Sequence, residues 1–315
     1  MKLQQLVTDY IAFKQALGGR SQAEARILKA FSIAMGDVNI TEIQTSAIQA
    51  FLVGKGVVTS FWHQKFGVLN RFYRFLMIRN IVDSSPLPRT VPKCPEPMKP
   101  YIYSTEEMRR LLEATDKLQT PLSPLRACTF RTLILTLYST GLRIGEALSL
   151  TLADVIFPEK LIVVRNGKFY KSRLVPIGPR LTDTLRAYAQ RRQKLPCLHG
   201  KASAFFVTRS GKSLTYDQER KVFPILRNFA GIHREKEARY QPRIHDIRHT
   251  MAVHRLLSWY REGADVQRLL PYLSTYLGHL DIAATQRYLT MIPELLNQAN
   301  GRFERYAMQE VDDEI

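Results

Sequence analysis

A chain of 315 residues with 45% hydrophobic and 23% charged content is long enough for two domains with separate cores, and its composition is that of a globular protein. Its formal net charge of +18 favours a polyanionic partner, nucleic acid ahead of an anionic membrane surface. No apolar run reaches the length of a membrane span, and the start Met1-Lys2-Leu3-Gln4-Gln5 lacks the apolar core of a signal peptide. Cys94, Cys128 and Cys197 lie far apart, show no metal-ligand spacing and read as reduced thiols of a cytoplasmic protein.

Residues 1–82 are predicted to form a helical bundle. Leu3, Leu6, Ile11 and Phe13 lie on a first helix that stops at Gly18-Gly19. Ser21-Gln22-Ala23-Glu24 and Thr41-Glu42-Ile43-Gln44 each read as a capping box. The first leads into Ile27, Leu28 and Phe31, the second into Ile48, Phe51 and Leu52. A longer helix from about Thr59 to Arg79 carries Phe66, Leu69, Phe72, Phe75 and Leu76 at helical spacing. Residues 1–95 hold 12 Lys or Arg against 5 Asp or Glu. Lys55, His63, Lys65, Arg71, Arg74 and Arg79 cluster in and around the last helix. For a single one of these a solvated face is the simpler assignment; for the cluster, contact with DNA phosphates is expected.

Residues 83–101 form a linker. Pro86, Pro88, Pro92, Pro95, Pro97 and Pro100 exclude a helix interior, so the stretch reads as a semi-extended connector, whether plain spacer or hinge of a clamp. Residues 102–315 form the second domain. Ser104-Thr105-Glu106-Glu107 caps its first helix.

An apolar helix from Thr129 to Tyr138 ends at Gly141, placing Arg143 at a turn followed by the apolar Ile144, Ala147 and Leu148. A guanidinium held at a buried turn needs an anionic partner, either Glu146 or a phosphate. Leu161 to Arg165 is a strand, Asn166-Gly167 a hairpin signal, and Leu174, Val175 and Pro176 the returning strand. Lys168 therefore sits at the hairpin tip; Lys171 and Arg173 compete with it and rank lower. Ala204 to Val207 reads as a short strand, and Thr215-Tyr216-Asp217-Gln218 caps a helix that Gly231 closes. Ser210-Gly211-Lys212-Ser213 is no nucleotide loop, because Phe206 stands where a phosphate-binding loop needs glycine.

His245 and Arg248 are three apart at the start of a helix and share a face. His249 and His254 read as structural; metal binding is the second reading of this histidine cluster, but no cysteine or paired carboxylate completes a site and no metal is expected. The stretch from Ser258 to Leu273 is interrupted by Pro271 and reads as a loop or oligomer contact. Gly278-His279 stops a helix, and Tyr288 follows about two turns later. From Pro293 onward Leu295, Leu296, Ala299, Phe303 and Tyr306 form an apolar stripe ending in acidic residues.

The order Arg143, Lys168, His245-x-x-Arg248, Gly278-His279, Tyr288 resembles the catalytic domain of tyrosine recombinases, the phage-integrase type of site-specific recombinase. The resemblance implies a mainly α protein with a small β-sheet: an N-terminal SAM-like core-binding bundle and an α+β catalytic domain. It implies an Xer-like or transposon-type layout with no arm-binding domain ahead of the bundle. Tyr288 would be the nucleophile that forms a 3′-phosphotyrosine. Arg143 and Arg248 would hold the scissile phosphate, with Glu146 supporting Arg143. Lys168 would be the general acid, His245 the base or phosphate orienter, and His279 a donor to a non-bridging oxygen. No cofactor and no metal are implied. The implied partner is double-stranded DNA with paired recognition sites, bound by a homotetramer or a tetramer with a paralogue, in the cytoplasm at the nucleoid. The tail would either fold back on its own domain or, as in the resembling family, dock on a neighbouring protomer. A type IB topoisomerase uses nearly the same groups but usually has lysine where His245 stands; a non-catalytic DNA-binding protein is the other alternative.

Overall fold

The computed structural model describes residues 1–18, 22–54, 56, 58–96, 98–120, 126–165, 172–196, 199–235, 238 and 240–290. The chain divides into two compact units, Met1–Met98 and Lys99–Ile315. The hairpin tip with Lys168, the residue Lys55, the capping serine Ser21 and the tail from residue 291 lie outside the described residues.

The first unit packs α1 (Leu3–Ala16), α2 (Gln22–Met35), α3 (Thr45–Val53) and α4 (Ser60–Ile78) around one core. Leu6, Tyr10, Leu28, Phe31, Ile48, Leu52, Leu69, Phe72 and Leu76 are buried there. Tyr10 meets Phe72 edge to face at 5.4 Å. Gly18 takes a positive φ of 79° just past α1, which ends the helix where the glycine pair stands. The second capping box falls earlier than expected. Asn39, not Thr41, receives the Glu42 carboxylate on its N–H (3.3 Å), around a 3-10 turn at Ile40–Glu42. α3 then starts after Gln44 with no side-chain cap.

The second unit opens with α5 (Thr105–Ala114), capped reciprocally: Glu107 N–H donates to Ser104 Oγ (3.1 Å) and Ser104 N–H to the Glu107 carboxylate (2.8 Å). α6 (Arg126–Thr140) and the short α7 (Ile144–Leu148) follow. β1 (Val155–Ile156), β2 (Leu161–Val164) and β3 (Arg173–Pro176) form an antiparallel meander in which Val164 pairs with Arg173 and Ile162 with Val175. Then come α8 (Pro179–Arg192), α9 (Tyr216–Phe229), α10 (Asp246–Arg261), α11 (Val266–Leu277) and α12 (Ala283–Gln286), which runs into a 3-10 turn at Arg287–Thr290. Ala204 and Val207 make only isolated bridges, to Thr151 and Ser213, rather than the expected strand. α11 runs straight through Pro271, where an interruption was expected. Among the described residues no helix is long and apolar enough to cross a membrane.

The large core of this unit lies under the sheet and α5–α9. A smaller one joins α10 and α11 through Met251, Leu256, Leu257, Leu270, Leu273 and Leu277 and includes Tyr288. The end of α6, the start of α10 and the end of α11 meet between the two cores.

Candidate active site

Three arginines converge on the C-terminus of α11. A helix leaves its last carbonyls without intrahelical partners and concentrates partial negative charge on them. Here Arg173 Nε donates to the carbonyl of Tyr276 (3.1 Å), Arg248 Nη2 to that of Leu277 (2.7 Å) and Arg143 Nη2 to that of Gly278 (3.2 Å). Arg248 also donates to the carbonyl of Gly141, past the end of α6. Gly278 caps α11 in the left-handed conformation, φ 68° and ψ 46°. A Cβ there would lie 2.8 Å from Arg173 Nη1, so the glycine serves both the turn and the close approach of the guanidinium.

Glu146, 7% exposed, ties two of these arginines together. Its Oε1 accepts from Arg143 Nη1 (2.8 Å) and Arg173 Nη1 (3.1 Å), and its Oε2 from the Arg143 backbone N–H (3.0 Å) and Arg173 Nη2 (2.8 Å). Burial alone would raise the carboxyl pKa. The hydrogen bonds from Arg173 and from Arg143 outweigh it and hold the group at about 2.

Arg248 is 3% exposed. Burial, and then the charge of Arg143, push its pKa down to about 10, which leaves it charged at neutral pH. Tyr288 is buried against it. Burial raises the phenol pKa, while the charge of Arg248, a hydrogen bond to it and the charge of Arg143 pull the other way. The His279 ring stacks on Tyr288 with centroids 6.1 Å apart, and its Nδ1 bonds Thr285 Oγ1 at 2.7 Å. Burial first and Arg248 second push His279 down to about 4. His245 stands at the N-terminus of α10 and its pKa is likewise lowered, by burial and then by Arg248 and Arg243.

The structure therefore gathers Arg143, Glu146, Arg248, His279 and Tyr288, with His245 one ring removed. The ring between His245 and Tyr288 is His249, 5.1 Å from the first and 5.6 Å from the second. His254 instead bonds the Tyr138 hydroxyl (2.7 Å). Arg173 is the residue that sequence reasoning missed. The sequence ranks it below Lys168, yet its side chain is 13% exposed and donates twice to Glu146. The signal was strand parity: Arg173 shares a face with the buried Val175, and Leu174 between them points outward at 60% exposure. Among the described residues no group of His, Cys, Asp and Glu could hold a metal ion.

In the first unit Arg71, Arg74 and Arg79 are exposed as expected, although Arg71 pairs with Glu24 (3.2 Å) and Arg79 lies over the Phe75 ring at 4.4 Å. Lys65 corrects the expectation of a phosphate contact. It is 8% exposed and its ammonium donates to the carbonyl of Phe51, beneath the Phe51 and Phe61 rings. His63 is half-buried beside Trp62, its Nε2 enclosed without a partner.

The profile of the phage integrase family matches residues 103–293. A Sinorhizobium fredii protein described as an integrase/recombinase, y4rB, is 33% identical over 304 residues, 96% of each chain. Tyrosine recombinase XerC of Bacillus subtilis is 29% identical over 248 residues, covering 77% of this chain and 74% of its own. Among solved structures, the Tn1549 transposon integrase in complex with transposon right end DNA has the same fold. Its TM-score is 0.70 at 17% identity, over 98% of this chain and 100% of that one. The chain belongs to the phage integrase family. It is a tyrosine recombinase, an enzyme of site-specific DNA recombination, and neither the topoisomerase nor the non-catalytic alternative is favoured.

Proposed function

We propose that Tyr288 breaks one DNA strand by attacking the scissile phosphorus through its hydroxyl oxygen. The bond to the 5′ oxygen breaks as the phosphotyrosyl bond forms, leaving a 3′-phosphotyrosine and a free 5′-hydroxyl. Charge grows on the non-bridging oxygens in the transition state. Arg143 and Arg248 neutralise it without giving up their protons, and preorganised donors of this kind cost no reorganisation during the step. Arg248, buried and held by two carbonyls, supplies a fixed charge. Arg143 uses one N–H on each terminal nitrogen within the protein and turns the rest of its fork toward the phosphate.

His245, neutral in the resting site, orients the phosphate or acts as base; as base it receives the phenol proton by way of His249, whose ring stands between it and Tyr288. In the tautomer with its hydrogen on Nε2, His279 accepts from Thr285 at Nδ1 and donates from Nε2 to a non-bridging oxygen. Lys168 protonates the leaving 5′ oxygen, a role that rests on the family resemblance. The phosphodiester energy stays in the phosphotyrosine, so a 5′-hydroxyl from a second duplex reverses the step without ATP or metal. Two rounds of exchange pass through a Holliday junction. They engage paired sites on double-stranded DNA and four active sites, supplied by a homotetramer or by a tetramer with a paralogue, in the cytoplasm.

The observation that best supports this reading is the enclosure of Tyr288 against Arg248, with His279 stacked on its ring. Tyr288→Phe removes one hydroxyl. It should keep duplex binding and abolish denaturant-resistant adducts on nicked duplexes drawn from a randomised library. An adduct that survives would move the nucleophile elsewhere. Tyr276 is a poor substitute, since its hydroxyl already donates to the Pro176 carbonyl (3.1 Å).

A further inference from the structure

We propose that Arg173 is a positioning residue for strand cleavage: by occupying Glu146 it keeps the Arg143 guanidinium open toward the scissile phosphate. The inference rests on the reading above, in which Arg143 contacts that phosphate.

A carboxylate facing one arginine prefers the fork-to-fork pair, with two parallel N–H···O bonds. Such a pair would turn a whole edge of the Arg143 guanidinium into Glu146 and away from a ligand. Arg173 prevents it. Its two terminal nitrogens take both Glu146 oxygens at 3.1 and 2.8 Å, and the Arg143 backbone N–H takes Oε2 as well. Only one side-chain bond remains for Arg143, from Nη1 to Oε1. Glu146 thus fixes the position of Arg143 while consuming little of its fork.

Charge works in the same direction. Glu146 with Arg143 alone is a neutral pair. With Arg173 added, the trio keeps one net positive charge beside the phosphate site. The third anchor sets direction: Arg173 Nε donates to the Tyr276 carbonyl, and its guanidinium lies on Gly278. One side chain therefore joins the strand after the hairpin, the acid that holds Arg143 and the turn that carries His279. All three sides of the Arg173 fork are bonded within the protein, which makes it a holder of other groups rather than a phosphate ligand itself.

The test uses the full-length protein and the nicked duplex most enriched among parent adducts from a randomised library. That duplex is made twice, once with a normal scissile phosphate and once with a methylphosphonate, which lacks one anionic oxygen. Arg173→Met and Arg173→Lys should bind the duplex within about threefold of the parent. On the phosphate, Arg173→Met should form adducts more slowly by on the order of 10- to 100-fold, the range for removing a partner that orients an active group. Arg173→Lys keeps the charge without the fork and should fall between Met and parent. On the methylphosphonate, with less charge to neutralise, the gap between Arg173→Met and parent should shrink at least several-fold.

Parent-like cleavage by Arg173→Met would overturn the proposal. So would an equal loss on both duplexes, or a loss of cleavage that only tracks a loss of binding, because these mark a structural role. Arg143→Ala, run alongside, separates the two levels of the argument. If it cleaves normally, or if the parent forms no adduct, the reading of the site fails and the Arg173 role falls with it. If Arg143→Ala is defective while Arg173→Met is not, only the Arg173 proposal fails.

Discussion

The imidazole of His249 is wedged between His245 and Tyr288, with its Nδ1 buried and unpartnered. Burial, then the neighbouring His245, push its pKa from 6.5 to about 4. The unfolded chain therefore takes up this proton first as pH falls. The histidine's contribution to stability is intact above about 6.5 and is lost as pH drops toward 4. His279 acts in the same sense over the same window. Glu219 opposes them: burial raises its carboxyl to about 7, so the folded state takes that proton first and gains stability between about 7 and 4.5. The parent alone would mix these effects, and the informative quantity is a difference between two proteins. His249→Gln, compared with the parent by urea unfolding without DNA, should lose less stability between pH 6.5 and 5 than the parent does. Parallel curves would show that His249 carries no suppressed charge in the folded state.

At the level of elements, the site depends on where α6 and α11 end and where α10 begins. Gly141 takes φ 62° past the last turn of α6 and offers its carbonyl to Arg248. A Cβ at this position would fall 2.6 Å from Leu277 Cδ2 and 2.6 Å from Met251 Cε. Left-handed backbone costs a non-glycine residue about 1–2 kcal/mol, and overpacking a core about 1–3 kcal/mol more. Gly141→Ala should therefore lose roughly 2–5 kcal/mol in urea unfolding, and a loss below about 1 kcal/mol would mean that the three helix termini are loosely packed. Most of these elements were legible in the sequence, because apolar spacing and local caps such as Ser104 with Glu107 act within one turn. The failures have physical causes. Pro271 removes one hydrogen bond of α11 and costs about 3 kcal/mol. Burying Leu270, Leu273 and Leu277 gains about 1.5–3 kcal/mol each and wins. Of the site, Arg143, His245, Arg248, His279 and Tyr288 could be found as spaced motifs. Strand parity marks Arg173 only as inward-facing; its pairing with Glu146, and that of Thr285 with His279, are set by contacts that no motif spacing encodes.

Over the whole molecule the dominant physical quantity is the charge of +18. A protein that covers several DNA phosphates releases their counterions, and its affinity falls linearly on a log–log plot against salt with a slope near −0.9 per contact. Duplex binding should accordingly weaken by about 10³ or more between 50 and 200 mM salt if six or more phosphates are engaged. Individual residues of the first unit divide on the same measurement. Arg74 is exposed on α4, and Arg74→Ala should reduce the slope by about 1. Lys65 faces inward, bonded to the Phe51 carbonyl, so Lys65→Met should leave the slope unchanged. Arg71 already shares its charge with Glu24 and should show an intermediate effect. Measuring the three variants as salt series, rather than at one salt concentration, is what separates a phosphate contact from a packing defect. A packing defect weakens binding by the same factor at every salt concentration, whereas a lost contact makes the line shallower. A shallower line for Lys65→Met with no change for Arg74→Ala would reverse this assignment of the α4 face.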